Sequence, residues 1–292
     1  MNKRVLTALI ALPVLILSII LPYLLPPFSW TNWLFLVIAA LALGAGLFEF
    51  FSLTKKLELK ADAGIAYLGA AAFFVAFLFD APAKAPDLLF LTLALFLIGV
   101  LVTQTFRFQI DFSKMLTGVG VTILGVLYVA YLGGFLIAMR VGFNETLVPH
   151  LSTKLLAFFF LVVMGADTGG YYIGKNFGKR KLVPKISPGK TWEGVVGGVV
   201  FASAFAALAS ATFFAPDPSI NQKGLPFHVS IPLAIVMTVV GLFGDLAESA
   251  MKRGSNTKDA ASILPGHGGL LDRLDSLLFN APILYYFARF YF

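Results

Sequence analysis

Apolar residues run along this chain in long blocks, without the every-second-residue alternation of a barrel strand. The blocks fall near 5–26, 32–53, 63–80, 87–105, 116–139, 153–174, 193–215, 230–251 and 271–291. About 20 residues wound as a helix cross a hydrocarbon core of about 30 Å. The pattern therefore predicts an all-α, polytopic membrane protein of about nine spans, with 63–80 and 87–105 the weakest of them. Connections such as DAPAKAPD at 80–87 and APDPSINQKGLPFH at 215–228 hold the Pro, Gly and charged residues that interrupt helices. No internal repeat or low-complexity tract appears.

Composition agrees. Hydrophobic residues make up 59% of the 292 positions and charged ones only 13%, too few to clothe a water-soluble surface. The absence of cysteine excludes disulfides and thiolate metal sites. The opening MNKR followed by apolar residues resembles a signal peptide, but the stretch to Pro26 is longer than such a core, so it reads as the first span.

Charge adds an orientation. With the N-terminus cytoplasmic, 17 of the 22 Lys and Arg residues fall on the inner side, leaving Lys84, Arg140, Lys154, Lys223 and Arg289 outside. Topogenesis and attraction to anionic headgroups account for Lys55, Lys56 and Lys60. Two inner segments are denser than that explanation needs. One is ADTGGYYIGKNFGKRKLVPKISPGKTWEG, Ala166 to Gly194; the other is SAMKRGSNTKDAASILPGHGGLLDRLDS, Ser249 to Ser276, with Asp245 and Glu248 just before it. Both lie after residue 160, so 1–150 reads as scaffold helices and 151–292 as the region that carries the charged motifs.

Asp245, Glu248, Ser249 and Lys252 follow the spacing i, i+3, i+4, i+7 and share one helix face; Asp272, Asp275 and Ser276 repeat it at the start of the last span. Carboxylates at membrane depth cost about 3 kcal/mol each, so a group of them faces a polar cavity or a cation. Oxygen donors with few nitrogen ligands suit a hard divalent ion such as Mg²⁺, held in part by substrate phosphates. Lys190, Lys252, Arg253, Lys258 and Arg273 supply phosphate clamps, and Gly266, Gly268 and Gly269 let backbone N–H groups approach an anion. Acids for metal beside bases for phosphate form the inventory of phosphoryl or nucleotidyl transfer. Gly189-Lys190-Thr191 imitates the end of a P-loop, but Pro184 stands where that motif needs glycine.

The segments SAMKR at 249–253, Lys258-Asp259 and HGGLLDRLD at 267–275, with ADTGGYYIGKNFGK and KISPGKTWEG upstream, resemble the phosphatidate cytidylyltransferase family from about residue 160 onward. That resemblance implies a Mg²⁺-dependent reaction, with one ion or two, between CTP and phosphatidic acid, giving CDP-diacylglycerol and pyrophosphate. It implies further an integral membrane homodimer whose catalytic region, 151–292, holds a polar, cytoplasm-facing cavity. No nucleic-acid partner is expected, and a compact chain without targeting extensions suits a bacterial inner membrane.

Asp245 and Asp272 are then expected as metal ligands, the competing reading being salt bridges to Lys252 or Arg273. Asp275 and Asp167 are expected as further ligands or orienters, and Lys252, Arg253, Lys258 and Arg273 as phosphate contacts. Lys190 and Glu193 either hold the nucleotide, brace the cavity or simply pair with each other. Ser249 binds phosphate or packs between helices. His267 contacts phosphate or shapes its turn, and Asp259, Gly268 and Gly269 complete the substrate-binding set. Gly197 and Gly198 read as packing, and Glu49 as a carboxylate reaching the interface at the end of the second span. His150 and His228 receive no role. A CTP-dependent lipid kinase is the nearest alternative; a cation-coupled transporter is more distant, since its acids would be spread through the membrane.

Overall fold

The computed structural model describes residues 3–25, 29–107, 112–143, 148–216, 224–255, 257 and 269–292. These group into two compact units, 1–142 with 251–274 and 143–250 with 275–292. The end of α10 and the start of α11, at 251–255 and 269–274, thus group with the N-terminal helices.

The first unit holds α1 (Lys3–Leu24), α2 (Trp33–Lys56), α3 (Ala63–Leu78), a single turn α4 (Ala81–Lys84), α5 (Pro86–Arg107), α6 (Met115–Gly125) and α7 (Leu132–Val141). A π-helical turn, Val126–Tyr131, joins α6 to α7 without a break, so 115–141 is one helical rod. The second unit holds α8 (Leu151–Phe177), strands β1 (Lys181–Val183) and β2 (Ser187–Thr191), α9 (Trp192–Ala211), most of α10 (Phe227–Gly254) and most of α11 (Leu271–Tyr291).

Six of these are long and apolar enough to cross a membrane: α2, α5, the 115–141 rod, α8, α9 and α10. Among the described residues each apolar block of the sequence holds a helix, but α1 and α3 offer shorter apolar stretches, Ala11–Leu24 and Ala63–Leu78. Helix α11 carries Asp272, Arg273, Asp275, Asn280 and Arg289, which dilute its apolar character. Outward-facing Leu41, Leu68, Phe90, Leu116 and Val196 are all more than half exposed, an arrangement that acyl chains tolerate and water does not.

A fault in α1 accounts for Arg140, one of the five cations counted on the outer side. Pro22 has no N–H to give the carbonyl of Ser18, four residues back. Arg140 fills that vacancy: Nη2 donates to Ser18 O and Nη1 to Ile19 O, each at 3.3 Å, and its guanidinium lies 5.8 Å from the Phe35 ring centroid. At 1% exposure Arg140 is a core residue of the first unit.

In the second unit α8 and α9 run antiparallel and nearly touch through glycine. A Cβ on Gly169 would lie 2.5 Å from Gly197 O, and one on Gly197 would lie 2.4 Å from Ile173 Cβ. That close approach is the packing role expected of Gly197, and Gly198 fits against Ala166 O in the same way.

Candidate active site

The basic segment after α8 is an ordered hairpin rather than a plain loop. Pro184 starts the turn that Ile186 N–H closes onto Val183 O at 3.2 Å, and β1 pairs with β2 in antiparallel register, Lys181 opposite Thr191. Thr191 then caps α9, its Oγ1 accepting from Gly194 N–H at 3.1 Å. Glu193 bends back: its carboxylate accepts from Lys179 N–H at 3.0 Å and from Arg180 N–H. Glu193 therefore holds the base of the hairpin, while Lys190 on β2 forms an ion pair with Asp245 of α10.

Asp245 belongs to a group of charges in the second unit. Helices α10 and α11 approach at Gly244, where a Cβ would lie 2.5 Å from Asp275 O, and at Gly241, where it would lie 2.7 Å from Asn280 Nδ2. This contact brings Asp275 within electrostatic reach of Asp245, Asp167 and Lys190. Asp275 is buried, Asp245 half-buried and Asp167 exposed. Ser249, one turn beyond Asp245, donates its hydroxyl to Asp245 Oδ1 at 3.3 Å, so it orients a carboxylate rather than only filling space.

The second ion pair lies in the first unit. Lys252 Nζ meets Asp272 Oδ1 at 2.6 Å, with both side chains 16% exposed. Gly269 N–H donates to Asp272 Oδ2 at 3.0 Å. The salt bridge weighed against metal ligation for Asp272 is thus present. Arg253 and Arg273 are exposed at the same helix ends. Lys258, Asp259, Gly266, His267 and Gly268 lie outside the described residues.

Glu49 departs from expectation. It is fully buried, and its two oxygens accept from Leu270 N–H at 2.9 Å and Leu271 N–H at 2.7 Å, capping α11. A signal for this existed in the sequence: Glu49 stands seven residues before the end of α2 at Lys56, where Lys55 and Lys56 mark the boundary. A carboxylate at that depth needs a partner.

Among the described residues, no three Asp, Glu or His side chains gather closely enough to cage an ion by themselves. Mg²⁺ does not require such a cage, since it keeps waters and commonly takes one or two carboxylates together with substrate phosphates. Hard oxygen donors beside lysines, with no thiolate in the chain, fit that mode of binding.

Comparison with known proteins bears on the whole chain. Residues 2–291 match the model of the cytidylyltransferase family. A phosphatidate cytidylyltransferase of Bacillus subtilis (strain 168) is 35% identical over 299 aligned residues, covering 98% of this chain and 97% of its own. Those of Staphylococcus aureus (strain COL) and Haemophilus influenzae are 43% and 41% identical over about half of each chain. With the match running from one end to the other, and with paired acids and lysines at the segments that carry the resemblance, the chain belongs to the cytidylyltransferase family.

Proposed function

We infer that this protein transfers the cytidylyl group of CTP to phosphatidate, giving CDP-diacylglycerol and pyrophosphate. The observation that carries this reading is the 35% identity, over 98% of the chain, to a protein named for that activity. A phosphate oxygen of phosphatidate forms a new bond to the α-phosphorus of CTP, and the bond from that phosphorus to the β-phosphate bridging oxygen breaks. The nucleophile is already anionic, so the protein's work is to screen repulsion and align the two phosphates.

Asp245 and Asp272 would hold Mg²⁺, one ion or two, which supplies charge neutralisation at the phosphates. Asp275 and Asp167 orient that set. Lys190 and Lys252, each paired with a carboxylate, turn to phosphate oxygens when nucleotide binds, and the ion pairs keep both charges compensated until then. Arg253, Arg273 and Lys258 add phosphate contacts. Ser249 and Glu193 hold Asp245 and the Lys190 hairpin in place. His267, Gly268, Gly269 and Asp259 complete the substrate contacts. We place the N-terminus and the site on the cytoplasmic side of a bacterial inner membrane, in a homodimer whose protomers each cross it about nine times, with 17 of the 22 cations on the inner side supporting that orientation.

The test is incubation of the purified full chain with labelled CTP, phosphatidate and Mg²⁺. CDP-diacylglycerol and pyrophosphate are the expected products, lost in EDTA and restored by added Mg²⁺. Release of CDP with a newly phosphorylated lipid would instead identify a kinase, and full turnover in EDTA would remove the metal from the mechanism.

A further inference from the structure

We propose that Glu49, a residue of the N-terminal helices, is a positioning residue for cytidylyl transfer, clamping the first turn of α11 so that Asp272 and Arg273 are presented at a fixed rotation and depth. The proposal rests on the reaction assigned above.

Helix α11 starts with backbone N–H groups that have no partner within the helix. Two consecutive ones, from Leu270 and Leu271, are taken by Glu49, one on each carboxylate oxygen. A two-point clamp restrains rotation about the helix axis, which a single cap does not. The charge suits the place, since the positive end of the helix dipole and two charge-assisted hydrogen bonds favour a carboxylate there.

The same face of α2 supplies a third point. Gly46, one turn before Glu49, leaves room for the leucines of α11: a Cβ there would lie 3.1 Å from Leu274 Cδ1 and 3.8 Å from Leu271 Cδ1. Leu271 and Leu274 are buried, whereas Asp272 is half-buried and Arg273 exposed. With the leucines locked against α2, helical geometry turns Asp272 and Arg273 to the other side. Asp272 there meets Lys252 and the Gly269 N–H. Through Glu49 and Gly46 the N-terminal helices therefore set the position of the first turn of α11.

Glutamine at position 49 keeps the shape and one carbonyl acceptor but sets an NH₂ group against a backbone N–H. Aspartate keeps the charge and reaches less far. In the full-length chain, purified in detergent, Glu49→Gln should lower kcat on the order of 10²-fold, the scale of a small misplacement at a reacting centre. KM for CTP and phosphatidate should stay within about threefold, as expected when only transition-state alignment is lost. Amide exchange should quicken at Leu270 and Leu271 while the other helices keep wild-type protection. Glu49→Asp should recover about tenfold of the lost kcat with partial protection of the same amides.

Wild-type kcat in Glu49→Gln overturns the proposal. So does exchange that rises evenly through α1 to α7, which marks a general structural role, and so does an aspartate variant no better than glutamine. Where Glu49→Gln does not fold, Glu49→Asp alone decides by the same pairing of kcat with local exchange. A wild-type protein that forms no CDP-diacylglycerol sinks the assigned reaction, while the exchange result still judges the clamp.

Discussion

Removing Lys252 and Asp272 singly and together separates an ion pair that holds structure from a carboxylate that performs chemistry. The pair is short, 2.6 Å, and each side chain keeps 16% of its exposure. Exposed pairs contribute about 0–1 kcal/mol, whereas breaking a buried one costs about 3–5 kcal/mol. At this partial burial Lys252→Met should cost about 2 kcal/mol, because Asp272 loses its short ammonium contact while keeping the Gly269 N–H. Asp272→Asn should cost about as much from the lysine side, and the double variant no more than either single, a coupling of about 2 kcal/mol. Thermal unfolding in one detergent should show each single variant about 5 °C below wild type. Turnover is the second axis. Asp272→Asn should abolish cytidylyl transfer, and the double variant, though as stable as the singles, should remain inactive. A coupling below about 0.5 kcal/mol refutes the structural half of this reasoning. Near-normal turnover in Asp272→Asn removes Asp272 from the metal site.

Arg140→Gln should destabilise the first unit by about 2–4 kcal/mol, measured as loss of thermal stability, because the proline-vacated carbonyl of Ser18 loses its guanidinium donor and Ile19 O its second one; Arg140→Lys should recover only part of this, since one ammonium replaces a two-pronged donor. Gly169→Ala should cost about 2 kcal/mol or more by forcing α8 away from the Gly197 carbonyl, while Gly189→Ala on β2, with open space around its Cβ, should leave stability unchanged within about 0.5 kcal/mol. Equal effects from these two glycines would contradict the packing account.

Legibility in the sequence followed the range of the interaction. Helices were plain because lipid demands internally bonded backbone and apolar side chains, and both leave a pattern over about 20 residues. Spacing along α10 put Asp245 and Ser249 on one face, and their hydrogen bond follows from it. The nature of the charged segments, acids beside bases, was equally visible. Their pairing was not. Lys190 and Glu193 sit three apart and suggest each other, yet one reaches Asp245, 55 positions later, and the other turns to the backbone at 179 and 180.

The chain's sequence by itself determined a helical membrane enzyme class and the two segments that carry its chemistry, since hydrophobicity, charge and motif are properties of consecutive residues. Tertiary structure decided which charges meet: Lys190 with Asp245, Asp275 brought near both by the glycine contact at Gly244, and Glu49 seated on the N–H groups of residues 270 and 271, more than 200 positions away. Such partners are chosen by packing between helices, where one missing Cβ or one proline-vacated carbonyl sets the approach, and no local pattern encodes the far side of that contact.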